Sequence, residues 1–461
     1  MRPLEITLSV LLTIYLIWPH PRPFAVRLFP ALALILALAH FGLEGYRWQM
    51  IPLYVLTPLL TISSLMKITG PSDWKPLASY LILILLALSI AVPILLPVPK
   101  IPTPSGPFQI GTSIYELNDT SRQELYSGRD ETRRFMIQVW YPAEVKDGDV
   151  RAPWMANAEI FAPAIAGFLE MPSYFLDHLA LADSPAYLEV PPAETDKPYP
   201  VILFSHGWQG FNAQNTEQAV ELASRGYVVI GIQHTYGAVL TVFPDGTVAP
   251  NNPKALPENA DDPNYEVVAR KLVDQWAGDM SFALNQLSDW DKEAGNPFFQ
   301  KLDLERVGVY GHSTGGGAAI QFCGTDSRCK AVLGMDPFMR PVSAEVIENG
   351  VSQPAFFMFS QGWADITDSK NNGLFDQFYP NVSNGKGAIV IAGTRHYDFS
   401  DLPLLSPIAP QLGLKGPLNG QRVTEIVDSY LLDFFEMELN NKPSHLFDGS
   451  FKTFQEVKVR K

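Results

Sequence analysis

One pentapeptide carries the strongest chemical signal in this chain: Gly311-His312-Ser313-Thr314-Gly315. A serine between two glycines, after the apolar run Val307–Tyr310 and before the small-residue run Gly316–Ile320, predicts a sharp strand-to-helix turn. Gly311 and Gly315 leave room for that turn. Such a turn lifts Ser313 Oγ into a pocket, and the helix start beneath it favours developing negative charge. The chemistry is acyl transfer, with Ser313 attacking an ester carbonyl.

A serine nucleophile needs a base. Eight histidines are present. Chain order in strand-turn-helix serine hydrolases runs nucleophile, acid, histidine, so the base should follow Ser313. His396 and His445 do, and His396 alone sits on a loop leaving an apolar strand, in Gly393-Thr394-Arg395-His396-Tyr397-Asp398. His234 reads as a pocket-lining or backbone-bonding side chain and His178 as part of a cap. The acid stays open between two aspartates at strand ends, Asp336 after Ala331–Met335 and Asp365 after Ala355–Ser360. The tetrahedral intermediate needs two amide donors. Thr314, after the nucleophile, is one. Trp208, on the loop after Val201–Ser205, is the other. Ser205 and His206 are expected to fix that loop.

These groups need a scaffold. Apolar strands at Val201–Ser205, Val228–Gln233, Arg306–Gly311, Ala331–Met335, Ala355–Ser360 and Ala388–Gly393 alternate with helices near Thr216–Arg225, Tyr265–Leu287 and Gly315–Cys323. That pattern predicts a mostly parallel sheet covered on both faces; with the Gly-x-Ser-x-Gly turn set in it, the whole resembles an α/β-hydrolase fold. Ile114–Leu117 and Met136–Tyr141 read as two earlier strands, and Val423–Leu439 as a closing amphipathic helix. Residues 153–182 are apolar at helical spacing and are expected as helices over the pocket or as core.

The first hundred residues differ from the rest. They carry seven Lys/Arg and three Asp/Glu, a charge of +4, which leaves −18 of the total −14 for residues 101–461. An acidic catalytic unit argues against nucleic acid as a partner. Four apolar stretches, Leu4–Trp18, Leu28–Leu43, Met50–Met66 and Leu77–Val98, predict about four membrane spans over residues 1–98. The breaks fall at Pro19–Pro23, Gly42–Arg47 and Lys67–Lys75, and Trp18, Trp48 and Trp74 lie beside the runs as interfacial aromatics do. Pro-rich residues 99–107 form a linker, and residues 108–461 the catalytic domain. With four spans, Arg2, Arg47 and Lys100 share the catalytic side, against Arg22, Arg27, Lys67 and Lys75 opposite. That bias places the catalytic domain outside the cytoplasm. Cys323 and Cys329 read either as two buried thiols or as a disulfide closing a short loop.

Several segments together resemble the platelet-activating-factor acetylhydrolase family of calcium-independent serine phospholipases and esterases. They are FSHGWQGF (Phe204–Phe211), LASRGYVVIGIQH (Leu222–His234), GHSTGGG (Gly311–Gly317), LGMDPFMRP (Leu333–Pro341), PAFFMFS (Pro354–Ser360) and GTRHYDFSDLPLLSP (Gly393–Pro407). The early pair GTSIYEL and RRFMIQVWYP resembles the family's opening strands. The resemblance covers roughly residues 105–440 and implies Asp336 as the acid. It implies a hydrolase of short-acyl or oxidised phospholipids, needing no metal or organic cofactor; the apolar N-terminal stretches make it membrane-anchored, with membrane lipid as its other partner. The multi-span N-terminus is not part of the family pattern. Two alternatives stand beside this: a general carboxylesterase or polyester hydrolase using the same residues, and a non-catalytic membrane-anchored binding module.

Overall fold

The computed structural model describes residues 1–19, 21–66, 76–366, 369–447, 451 and 453–460. His20 and the break at Lys67–Lys75, with Lys67, Trp74 and Lys75, lie outside the described residues. The chain forms two compact units. One comprises Met1–Lys100, Met155–Ala182 and Leu405–Ile408; the other comprises Ile101–Trp154, Asp183–Leu404 and Ala409–Lys461.

Among the described residues the larger unit is built on thirteen strands. In chain order they are β1 (Gln109–Gln123), β2 (Thr132–Ala143), β3 (Arg151–Pro153), β4 (Asp183–Leu188), β5 (Tyr199–Ser205), β6 (Val228–Gln233), β7 (Leu240–Val242), β8 (Val248–Pro250), β9 (Leu302–His312), β10 (Cys329–Met335), β11 (Ala355–Ser360), β12 (Gly385–Ile391) and β13 (Val457–Val459). Strands β7 and β8 pair only with each other. The other eleven form one sheet, in the order β13-β12-β11-β10-β9-β5-β6-β2-β1-β4-β3. From β6 through β5 and β9 to β12 every neighbour is parallel.

Strands β5, β6 and β11 are buried along their whole length. An apolar strand without alternation has both faces covered. One face packs on the helix Tyr265–Lys292 through Leu272, Trp276, Met280 and Leu284, with Val307 and Val309 of β9 in the same core. On the other face Gly308 lies under Phe435 of the closing helix Gly420–Asn440. Sequence patterning missed β3, β4 and β13. They are short strands at or next to the sheet edges, with mixed burial, which leave little periodic signal.

The chain leaves β5 toward β6 on one side and returns to β9 on the other. Strand order therefore reverses between β5 and β9, and ligands of such sheets bind in the crevice at that switch. Ser205 is in register with Gly311 there, so the two motif segments meet at one sheet end. Midway along the closing helix, Asp428 faces Glu217 of the helix Thr216–Ser224. Burial, and then the Asp428 carboxylate, hold Glu217 well above the ordinary carboxylate range. A carboxyl raised in the folded state loses its contribution to stability as pH climbs from the unfolded value to the folded one. Glu217→Gln, which mimics the protonated form, should unfold a few degrees above wild type at pH 8 and little differently at pH 4.5. Thermal scans at the two pH values check this.

In the smaller unit, the helices Pro3–Ile17, Phe29–Leu43, Ile51–Leu65 and Pro76–Leu95 share one apolar core, with Leu8, Leu12, Ala33, Ala37, Leu53, Leu56 and Leu86. The expectation of four spans is corrected. Among the described residues two helical segments, Trp48–Leu65 and Leu77–Leu95, are long and apolar enough to cross a membrane. The first two helices have 15 residues each. At 1.5 Å per residue that is about 22 Å, short of a hydrocarbon core of ~30 Å. One end of the bundle holds a buried ion pair: Arg47 donates to both Glu5 oxygens at 2.7 and 2.5 Å. His40 and Arg2 join it. Counting charges along the chain puts Arg2 and Arg47 on one side of the membrane and does not show their pairing with Glu5.

Residues 155–182 do not belong to the hydrolase unit, contrary to expectation. They pack in the smaller one. Trp48 Nε1 donates to Phe175 O at 3.1 Å, and Gln49 Nε2 lies 2.7 Å from His178 Nδ1. The helix Ala158–Phe168 runs through Pro163.

Candidate active site

Strand β9 ends at His312, and the helix Thr314–Thr325 starts two residues later. Ser313 between them sits at φ 58°, ψ −121°. A non-glycine residue at positive φ is strained and must be held there by its surroundings. Ser313 N donates to Met335 O at 2.9 Å, and Ser313 O accepts from Gly317 N and Phe338 N at 3.1 and 2.9 Å. The turn also needs its second glycine: a Cβ on Gly315 would lie 2.1 Å from Ser205 O.

The loop after β5 comes against this serine. A Cβ added to Gly207 would be 3.2 Å from Ser313 Cβ. The next amide is Trp208. Among the described residues neither Trp208 N nor Thr314 N has a hydrogen-bond acceptor. Two unengaged amides flanking a strained serine are the geometry an oxyanion requires. The loop is braced from below. His206 Nδ1 donates to Gly207 O at 2.7 Å, and His206 Nε2 accepts from His234 N at 3.2 Å, which fixes the neutral tautomer. Ser205 Oγ lies 2.9 Å from His234 Nε2, and His234 Nδ1 lies 2.9 Å from Asp279. Asp279 also receives Arg133, which is fully buried, and Arg122. Burial opposes ionisation of Asp279, but the Arg133 charge, the His234 contact and Arg122 overcome it and hold the carboxyl well below its usual range.

Asp336 follows β10 and is fully buried. Its Oδ1 accepts from Ser360 N at 2.7 Å and its Oδ2 from Ser360 Oγ at 2.6 Å. Oδ2 also meets His396 Nδ1 at 3.0 Å. His396 opens the short helix His396–Phe399 after β12. His312, the residue before the nucleophile, touches it: Nε2 of His312 donates to His396 O at 2.9 Å, and the rings are 4.4 Å apart. His312, Asp336 and His396 also bring potential ligand atoms within 4.8 Å of one another. His312 Nε2 and His396 Nδ1 are both already engaged in these hydrogen bonds.

Asp365, the alternative acid, is exposed at the end of the turn Gln361–Ala364 and makes no hydrogen bond to His396 among the described residues. His234 lies in the buried brace. Sequence reasoning overlooked Ser360, although a polar residue closing the apolar run AFFMFS was a signal that something at the strand end needs a donor. Cys323 and Cys329 are joined by a disulfide, with Cα atoms 5.1 Å apart.

Burial pushes the His396 imidazole below its ordinary value of 6.5, to about 4. Burial raises the Asp336 carboxyl, against the two Ser360 donors that favour its charge. A base works unprotonated, so a lowered histidine pKa preserves activity at lower pH. The acid limb of kcat/KM on an uncharged ester should therefore fall below pH 6.5. A limb at or above that value would contradict the role of burial.

Comparisons with known proteins bear on the family and the fold. The model of the family described as platelet-activating factor acetylhydrolase, isoform II, matches residues 96–456. Platelet-activating factor acetylhydrolase of Cavia porcellus is 27% identical over 362 residues, covering 74% of this chain and 78% of its own length. A protein of Arthroderma benhamiae named "Probable 1-alkyl-2-acetylglycerophosphocholine esterase" is 24% identical, covering 77% and 92%. Among solved structures, a ferulic acid esterase from Streptomyces cinnamoneus matches with a TM-score of 0.64 at 24% identity, over 79% of this chain and all of its own, which bears on the fold. The chain belongs to the platelet-activating factor acetylhydrolase isoform II family and is a serine ester hydrolase.

Proposed function

We propose that this enzyme hydrolyses the acyl ester of short-acyl or oxidised phospholipids through an acyl-enzyme on Ser313. His396 Nε2 takes the proton of Ser313 Oγ as Oγ bonds to the ester carbonyl carbon. The carbonyl electrons move to oxygen, and the Trp208 and Thr314 amides hold that oxyanion. Its collapse breaks the bond to the alcohol, which leaves with the proton from His396. Water then repeats the steps and frees the fatty acid. Asp336 orients the imidazole and stabilises its cation. The observation that carries the reading is the 3.0 Å contact of Asp336 with His396, set beside a serine at positive φ and two unengaged amides. The phospholipid class is taken from the named activities of the relatives.

The smaller unit is the proposed membrane anchor. Its helices point Val10, Ile35, Leu38, Leu59, Ile84 and Leu88 outward, all exposed. Apolar side chains on every outer face suit lipid rather than water. A tether raises the effective concentration of a lipid substrate without new contacts. The disulfide Cys323–Cys329 supports an oxidising, extracytoplasmic location for the hydrolase unit, since such bonds are rare in the cytosol.

The test is hydrolysis of short-acyl phosphatidylcholines, aryl esters and polyester films by the full chain. Preference for the phospholipid supports the proposal; activity confined to aryl esters or polyester overturns it in favour of a general carboxylesterase. An impermeant fluorophosphonate on intact cells should label Ser313 if the unit faces outward. A truncated chain starting at Pro107 that matched the full chain on vesicle-bound lipid would remove the role of the tether.

A further inference from the structure

Nothing in the triad requires a tryptophan, yet one lies flat on its histidine. The Trp363 ring is stacked on the His396 imidazole with centroids 4.3 Å apart and planes 14° from parallel. Its indole Nε1 is buried and has no acceptor among the described residues, so no hydrogen bond of its own sets the ring. The backbone does. Ser360 Oγ donates to Asp336 and accepts from Trp363 N at 3.2 Å, so one hydroxyl fixes both the acid and the stacked residue. Gly362 N donates to Thr394 O at 3.1 Å, and Gly393 N donates to Gln361 Oε1 at 2.8 Å. The turn bearing Trp363 is thereby tied to the loop bearing His396.

We propose that Trp363 is a positioning residue that favours the charged form of His396 during acyl transfer. The proposal rests on the reading of Ser313 as nucleophile and His396 as base. An indole face is electron-rich and attracts a cation placed over it. His396 is neutral before attack and becomes an imidazolium once it holds the serine proton. The stacking interaction therefore strengthens as the transition state is approached, and only such differential interactions speed the chemical step. The other groups against the imidazole are Asp336 at Nδ1, the His312 ring at 4.4 Å and the Tyr397 ring at 5.6 Å. Burial holds His312 neutral, its pKa lowered to about 3, and Tyr397 is raised above its usual value, so Asp336 and the indole face are the groups that answer the new charge.

The experiment uses the full chain and an uncharged aryl ester, with kcat and KM measured across pH for wild type, Trp363→Phe, Trp363→Leu, Ser313→Ala and His396→Ala. Trp363→Leu should lower kcat about 2- to 30-fold, the range of a cation over an aromatic face, with KM little changed. Its acid limb should move to lower pH, because the cation has lost a partner. Trp363→Phe should retain most of both. Should Trp363→Leu misfold, tetrafluorotryptophan placed at position 363 keeps the shape and drains the ring face, and should shift the limb the same way. An acid limb unmoved in both the leucine and the fluorinated variants, or equal losses in Phe and Leu, overturns the proposal. Full activity in Ser313→Ala or His396→Ala instead sinks the triad reading, and this proposal with it.

Discussion

Ser313→Ala is expected to lower kcat about 10⁶-fold, as removal of a nucleophile does in serine hydrolases generally. The two nearby serines of the motif segments are otherwise engaged. Ser205 Oγ is consumed by His234, and Ser360 Oγ by Asp336. The residual activity should be that of the two amides and of substrate binding alone. Alanine keeps a Cβ at φ 58° and so keeps the backbone strain. Ser313→Gly relieves it. Glycine should be as inactive as alanine yet unfold at a higher temperature, a difference that single-turnover assays and thermal scans read separately. Equal unfolding temperatures for the two variants would mean that the turn carries no strain.

Asp336→Asn should cost about 10⁴-fold in kcat, with KM near wild type. An asparagine amide in this place would present N–H to His396 Nδ1 and force the proton onto Nε2, the nitrogen that must accept from Ser313. The imidazolium would also lose its counter-charge. The two Ser360 donors, 2.6 and 2.7 Å from the carboxylate oxygens, would face an amide that can accept on one side only. Asp365→Asn should leave kcat/KM at the wild-type level, because Asp365 is exposed and bonded to neither His396 nor Ser360 among the described residues. Equal losses in the two variants would show that both carboxylates act. A loss confined to Asp365→Asn would transfer the acid role to it.

Some of this was legible residue by residue. The turn at Ser313 depends on its own neighbours: a strand of Val307–Tyr310, glycines at 311 and 315, small residues after. All are within a few positions in the chain, so local sequence carries the information. Helical periodicity marked Tyr265–Leu287 and Val423–Leu439, inside the helices Tyr265–Lys292 and Gly420–Asn440, for the same reason. The short strands β3, β4 and β13 were not legible, because three to six residues repeat too few times to make a pattern. The 155–182 segment misled because an apolar helix looks alike whichever core receives it. Trp48 and Gln49, more than a hundred residues away in the chain, decide that it packs in the smaller unit. The first two apolar stretches misled over spanning. Hydropathy suggested four crossings, but helices begin and end where capping and proline allow, and 15 residues is what remained.

By itself the sequence determined the kind of chemistry, the sharp turn at the proposed nucleophile and the order of motifs along the chain, since each rests on contacts between near neighbours. Only the tertiary structure decided what meets what. Spacing left Asp336 and Asp365 open, and it took β10, β11 and β12 lying side by side to bring Ser360 onto one carboxylate and His396 onto the same oxygen. The same juxtaposition laid Trp363 on His396 and set the Ser205–His234–Asp279 brace beneath the amide of Trp208. The reason is physical: hydrogen bonds and ring stacking act over a few ångströms of space, and distance along the chain does not report that space.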